Sequence, residues 1–278
     1  MRDVKAGLVS LYRRYNRREF VHPDPLELVY NYTTTEDQEI AGLLCACLAY
    51  GRVTQILASV SRVLGLMGSG SAPGSPRAFL GRMADRDIRE LLRSFKHRFT
   101  TGSEVAALLI GVKRTIVEHG SLEALFADGM KKSHDTVLPA LELFVERLRG
   151  SAGGPTTCRT LLSSPADGSA CKRLNLYLRW MVRRDRVDPG PWHRVPRAKL
   201  VVPLDTHMFR IARALGMTRR RQSNLATAVE ITQAFARHSP RDPVRYDFCL
   251  TRLGINPLLD GPALLRPLQQ HLAVIERE

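Results

Sequence analysis

The sequence predicts an all-α fold, and three observations carry that expectation. Apolar residues recur at spacings of three and four along most of the 278 residues. Alternating, strand-like runs are scarce. Gly, Ser and Pro concentrate in two segments, 67–76 (MGSGSAPGSP) and 150–168 (GSAGGPTTCRTLLSSPADG), which read as loops between helices. The second ends just before the most informative helix, so it reads either as a mobile, substrate-facing segment or as a tolerated surface insertion. The chain shows no internal repeat.

The elements follow in order. Asp3 to Arg17 reads as an Arg-flanked opening helix, and prolines start a short one over 23–31. Residues 36–50 (EDQEIAGLLCACLAY) are so apolar and small that the helix must be buried nearly all round. Helices are expected next at Thr54 to Met67, 84–94, 103–118, 121–128 and 134–149. The last third holds helices near 169–184, 206–215, 223–238 and 244–253.

Composition narrows the function classes. Lys+Arg number 42 against 27 Asp+Glu, a net charge of +15. Such an excess favours polyanionic partners, because cationic faces displace counterions condensed on phosphates; a solvated basic surface is the plain alternative. No apolar run is long enough for a membrane span, and the N-terminus lacks a signal-peptide core, so a cytoplasmic, nucleoid-associated protein is expected. Cys45, Cys47, Cys158, Cys171 and Cys249 form no C-x-x-C pair, which argues against metal or iron–sulfur ligation. There is no Walker A loop and no G-x-G-x-x-G, so neither nucleotide hydrolysis nor a dinucleotide cofactor is supported, and no cofactor is expected.

Two segments carry chemistry. Residues 170–184 read ACKRLNLYLRWMVRR. At 100° per residue, Ala170, Leu174, Tyr177, Leu178 and Met181 share one arc. Lys172, Asn175, Arg179 and Arg183 fall on the opposite arc, with Leu176 and Trp180 at its edge. That stripe suits phosphate contact and stacking on a displaced base, or it is the solvated face of an ordinary amphipathic helix. In VVPLDTHMFRIARALG (201–216), Pro203 breaks any preceding helix, Asp205 occupies an N-cap position and Gly216 a C-terminal stop. An Asp fixed there is stabilised as a carboxylate by free N–H groups and the helix dipole. Plain capping and a functional carboxylate are both compatible with that position.

The string VVPLDTHMFRIARALGM resembles the aspartate segment of the helix-hairpin-helix DNA glycosylases, with Asp205, Thr206 and His207 matching its D-T-H. The usual L-P-G-V-G-x-K hairpin is absent, and 187–200 (VDPGPWHRVPRAKL) is only a loose analogue. Lys172 precedes Asp205 by about the distance at which divergent archaeal 8-oxoguanine glycosylases place a helix-borne lysine. YDFCLTRLGINP (246–257) is similar to the last superfamily helix, without the cysteines of an iron–sulfur loop. VHPDPLE (21–27), LAYGRV (48–53), FKHRF (95–99), LRWMVR (178–183) and LDTHMFRIA (204–212) resemble a bacterial family of unknown function over most of the chain.

The resemblance implies a two-lobed fold, with 1–35 and 204–278 in one helical lobe and 36–203, including the hairpin-like segment, in the other. It implies excision of a damaged base, such as an oxidised purine, from duplex DNA, with apurinic-site lyase activity. Lys172 would attack the sugar and Asp205 would stabilise the developing positive charge. An ordinary lysine amine is almost wholly protonated near pH 7, so burial or neighbouring cations (Arg173, Arg179, Arg183) would have to favour its neutral form. Trp180, ahead of Trp192, is the candidate for stacking on a flipped base. Arg179, Arg183, Asn175 and Lys199 are candidate DNA contacts, as are Tyr50 and Arg52 at the end of the 42–52 segment. Backbone N–H groups of 187–200, near His193, Arg197 and Lys199, would grip phosphate. His207 is either a phosphate contact or a packed histidine. A non-catalytic DNA- or RNA-binding module on the same scaffold stands beside this reading, and so does a helical interaction protein. The sequence names no protein partner.

Overall fold

The computed structural model describes residues 2–68, 74–154 and 157–255. Among these residues it is mostly helical, with thirteen α-helices and one short hairpin. In order they are α1 (Arg2–Tyr15), α2 (Leu26–Val29), α3 (Thr35–Cys47), α4 (Val53–Gly65), α5 (Pro76–Arg82) and α6 (Asp85–Leu92). The hairpin, β1 (Lys96–His97) and β2 (Thr100–Thr101), is antiparallel with Lys96 opposite Thr101. Then come α7 (Gly102–His119), α8 (Leu122–Asp128), α9 (Leu138–Ala152), α10 (Lys172–Val182), α11 (Thr206–Ala214), α12 (Leu225–His238) and α13 (Asp247–Ile255). The C-terminal part of the expected terminal lobe, 256–278, and parts of both Gly/Ser/Pro segments lie outside the described residues.

Local signals start these helices. Thr34, Ser121 and Asn224 each accept a hydrogen bond from the third backbone N–H that follows. Thr101 and Glu104 form a reciprocal capping box at the start of α7. The sequence reading missed α5: Ser75 and Pro76, taken as loop residues, instead supply its N-cap and first turn.

One hydrophobic core runs from Val4 in α1 to Leu250 in α13. α3 lies at its centre and packs on α10, α2, α5 and α4, as its small, apolar composition requires. Gly42 makes the α3–α10 approach possible, since a Cβ there would stand 2.8 Å from Met181 Cε. α7 packs against α6, α8 and α9, while α13 packs on α1 and α11. Because α2 packs on α3, contacts cross the expected lobe boundary at residue 35.

Glu39 joins two parts of this core. Its buried carboxylate accepts from the backbone N–H groups of Leu122 and Glu123, at 3.0 and 3.1 Å, and from Trp192 Nε1 at 3.1 Å. It thereby caps α8 and holds Trp192 against Tyr177 and Phe126. Burial pushes its pKa up from 4.5 to about 7, against the opposing pull of those three donors. The folded state therefore holds a proton that the unfolded chain releases between pH 4.5 and 7. This carboxyl's contribution is full below the unfolded pKa and is lost as pH rises through the folded one, by about 3 kcal/mol in all. Urea midpoints measured from pH 5 to 8 should fall with pH, and the slope should flatten in Glu39→Gln. An unchanged slope would show that Glu39 does not titrate in this window.

Candidate functional site

The N-termini of α10 and α11 meet. Lys172 is the first residue of α10, and Asp205 is the N-cap of α11. Asp205 Oδ1 accepts from Met208 N at 2.7 Å, the bond that fixes the cap. Its other oxygen, Oδ2, lies 4.0 Å from Lys172 Nζ. One carboxylate thus serves two partners, with one oxygen anchoring the helix and the other turned toward the amine. The lysine side chain is 38% exposed and the aspartate 18%, so solvent reaches the pair while the surrounding protein orders it. His207 sits half-buried in the first turn of α11.

The approach to Lys172 is held by its own neighbours. Cys171, the N-cap of α10, has a left-handed backbone (φ 46°, ψ 39°), unfavourable for a residue with a Cβ. Its N–H donates to Ser169 Oγ at 3.1 Å, and the Asn175 amide donates to Ala170 O at 3.0 Å. The 150–168 segment is tethered where it is described. Leu161 and Leu162 are fully buried, and Thr160 Oγ1 donates to Glu104 Oε1 at 2.7 Å. Arg173 donates to Thr160 O and Cys47 O, tying α10 to this segment and to the end of α3. These bonds anchor the described end of the segment to α7 and α10.

The basic stripe read on α10 is a correction. Asn175, Arg179, Arg183 and Trp180 are all buried, so as placed they present nothing to a DNA backbone or a displaced base. Trp192 is buried as well. Arg179 donates through Nε to Asp188 Oδ1 at 3.2 Å and also pairs with Asp247. Arg183 pairs with Asp188, with Asp185 at 2.8 Å and with Asp242 at 3.0 Å. Tyr12 adds a hydrogen bond to Asp185 Oδ2 at 2.9 Å. Helical periodicity assigns an arginine to solvent unless its partners are visible, and these carboxylates come from the following turn, from the α12–α13 connection and from the start of α13.

In this network two guanidiniums face four carboxylates. Burial raises the Asp247 pKa to about 6, opposed by Arg179 and reinforced by the negative charge of Asp205. Asp188 moves up for the same reason of burial. Asp185, less enclosed and accepting two backbone N–H bonds, stays below the usual carboxylate range through Arg183 and those bonds. Asp247 Oδ1 is buried without a hydrogen-bond partner. The network therefore links the end of α10 to the start of α13.

The 187–200 connection is also committed internally. Gly190 has φ +55°, and a Cβ there would stand 2.4 Å from Arg183 O. Its N–H donates to Trp180 O, and that of Trp192 donates to Met181 O, closing the end of α10. The N–H groups of His193 and Arg194 donate to Glu123 Oε1. Lys199 Nζ donates to the carbonyls of Lys131 and Lys132, at 3.3 and 2.9 Å. The expected phosphate grip by these N–H groups and by Lys199 is replaced by structural bonds.

Tyr50 and Arg52 flank the turn after α3. Arg52 is exposed. The Tyr50 hydroxyl is bonded to Thr100 Oγ1 and His97 O, and the Arg173 guanidinium lies 5.2 Å from its ring centroid. The five cysteines are all free and buried. Burial raises the thiols of Cys47, Cys158 and Cys249 to about 12, which keeps them protonated and unreactive. No described helix is long and apolar enough to cross a membrane.

Comparison with known proteins gave one family. A family model described as "Protein of unknown function (DUF2400)" matches residues 24–256. No curated protein and no solved structure matched the chain.

Proposed function

The chain belongs to this DUF2400 family, and we propose that it is a DNA repair glycosylase with apurinic-site lyase activity, acting through Lys172 and Asp205. The observation that carries the reading is the 4.0 Å approach of Lys172 Nζ to Asp205 Oδ2 at two converging helix N-termini. A carboxylate whose second oxygen is fixed by a backbone N–H stays in place as the amine reacts. The arrangement of α10, the 183–205 connection and α11 serves on this reading as the helix-hairpin-helix scaffold of a two-lobed glycosylase fold.

The chemistry follows from the pair. A damaged nucleotide leaves the stack, which exposes its sugar C1′. Lys172 Nζ forms a bond to C1′ as the glycosidic C–N bond breaks. The bonding pair departs with the base, which takes up the proton that Asp205 relays from the attacking amine. Asp205, facing the same carbon, stabilises its positive character and accepts the proton lost by the attacking amine. Opening of the C1′–O4′ bond gives the Schiff base. Loss of a C2′ proton then expels the 3′ phosphate and cuts the strand. An oxidised purine such as 8-oxoguanine is the lesion class proposed.

The second reading is a DNA- or RNA-binding module without chemistry, which the exposed basic residues near Tyr50 would also serve. Both readings require binding that weakens steeply with salt. Strand scission separates them. On a panel of end-labelled duplexes carrying 8-oxoguanine, other oxidised bases or an abasic site, cleavage at the lesion is expected. Salt-sensitive binding with no cleavage on any of them would leave the module.

A further inference from the structure

We infer that the β1–β2 hairpin is a nucleic-acid stacking step, with Phe99 inserting against a base of a distorted duplex beside the Lys172–Asp205 pair. This rests on the proposed glycosylase reading and gives the site its contact to the stack. Phe99 is 63% exposed at the tip of the hairpin. Buried polar bonds hold it there. Its ring stacks on Tyr50 with centroids 4.8 Å apart and planes 20° apart. Tyr50 in turn donates to Thr100 Oγ1 at 2.6 Å and lies edge-on to His97 at 4.7 Å. His97 is buried and bonded to Ser59 Oγ at 2.9 Å and Tyr50 O at 3.1 Å. Such rigidity lowers the entropic cost of binding.

Position and charge identify the occupant. Arg173 follows Lys172 directly in α10, and its guanidinium lies 5.2 Å from the Tyr50 ring, so the first turn of α10 reaches the Tyr50–Phe99 stack through Arg173. Lys96, Arg98 and Arg52 are all exposed around the tip, and the Arg98 side chain crosses the backbone at Gly51. Residues 95–103 (FKHRFTTGS) contain no carboxylate. An exposed aromatic ring ringed by cations fits a base face flanked by phosphates, and apolar wedges of this kind part base steps and kink duplexes.

The test is fluorescence anisotropy with a labelled duplex carrying a central tetrahydrofuran abasic analogue. Wild type is compared with Phe99→Ala, Phe99→Trp and Val117→Ala, the last removing another exposed apolar side chain, on the far part of α7. Phe99→Ala should weaken binding about 5- to 150-fold, the range for loss of one base–aromatic stack. Phe99→Trp should restore it and Val117→Ala should leave it unchanged. Wild-type-like affinity of Phe99→Ala would overturn the hairpin assignment and leave the Lys172–Asp205 reading intact. Reduced self-association of Phe99→Ala with unchanged DNA affinity would also overturn it, making a second copy of the chain the occupant. Failure of the wild type to bind any duplex would remove both.

Discussion

Asp188→Ala is expected to destabilise the protein by about 3–5 kcal/mol, lowering Tm by roughly 6–20 °C. Asp188 is completely buried and is shared by Arg179 and Arg183. Removing it strips the acceptor from Arg179 Nε and from Arg183 Nη1, two desolvated donors, while Asp247, Asp185 and Asp242 keep their own bonds to the two guanidiniums. Loss of these two buried, charge-assisted hydrogen bonds dominates the small change in packing. Arg184→Ala, one residue beyond Arg183 but exposed, should stay within about 0.5 kcal/mol of wild type. Thermal and urea unfolding check both variants. Equal stability of Asp188→Ala and Arg184→Ala would contradict the buried network and return Arg183 to a solvent-facing role.

Asp205→Asn should lower base excision about 10²- to 10³-fold while leaving folding and DNA affinity close to wild type. Asparagine caps helices about as well as aspartate, so the bond to Met208 N is retained and only the charge facing Lys172 is lost. Asp205→Ala removes both and should cost about 1 kcal/mol of stability in addition. This split separates capping, which Oδ1 performs, from the proposed catalytic role, which would fall to Oδ2. Single-turnover excision beside thermal unfolding is the measurement. If both variants lose stability equally and Asp205→Asn excises like wild type, Asp205 is a cap and nothing more.

Much of the helical layout was legible because local chemistry specifies it. Apolar spacing and caps such as Thr101 and Asp205 mark helix starts to within a few residues. The buried all-round character of α3 followed from its small apolar residues alone. Lys172 and Asp205 are candidates for a different reason: the D-T-H segment carrying Asp205 resembles a known superfamily, and Lys172 lies at a matching separation before it. That their side chains approach to 4.0 Å depends on how α10 and α11 converge, which no spacing reveals. Arg179 and Arg183 were misread because their partners Asp242 and Asp247 lie some 60 residues away in the chain. The hairpin escaped notice because two-residue strands carry no alternation to detect. FKHRF (95–99) stands out as a string, yet only the folded hairpin puts Phe99 at its tip, exposed and stacked on Tyr50.

Borohydride trapping tests the central claim most directly. Reduction of the Schiff base converts a transient bond between lysine and sugar into a permanent one that survives denaturation. With duplex DNA carrying an abasic site or 8-oxoguanine, the wild type is expected to give a trapped complex at the combined mass of protein and strand, and peptide mapping should place the adduct on Lys172. Lys172→Gln should give none while still binding the duplex. Absence of a wild-type adduct across the lesion panel, or undiminished trapping in Lys172→Gln, would contradict the assignment of Lys172 as the nucleophile.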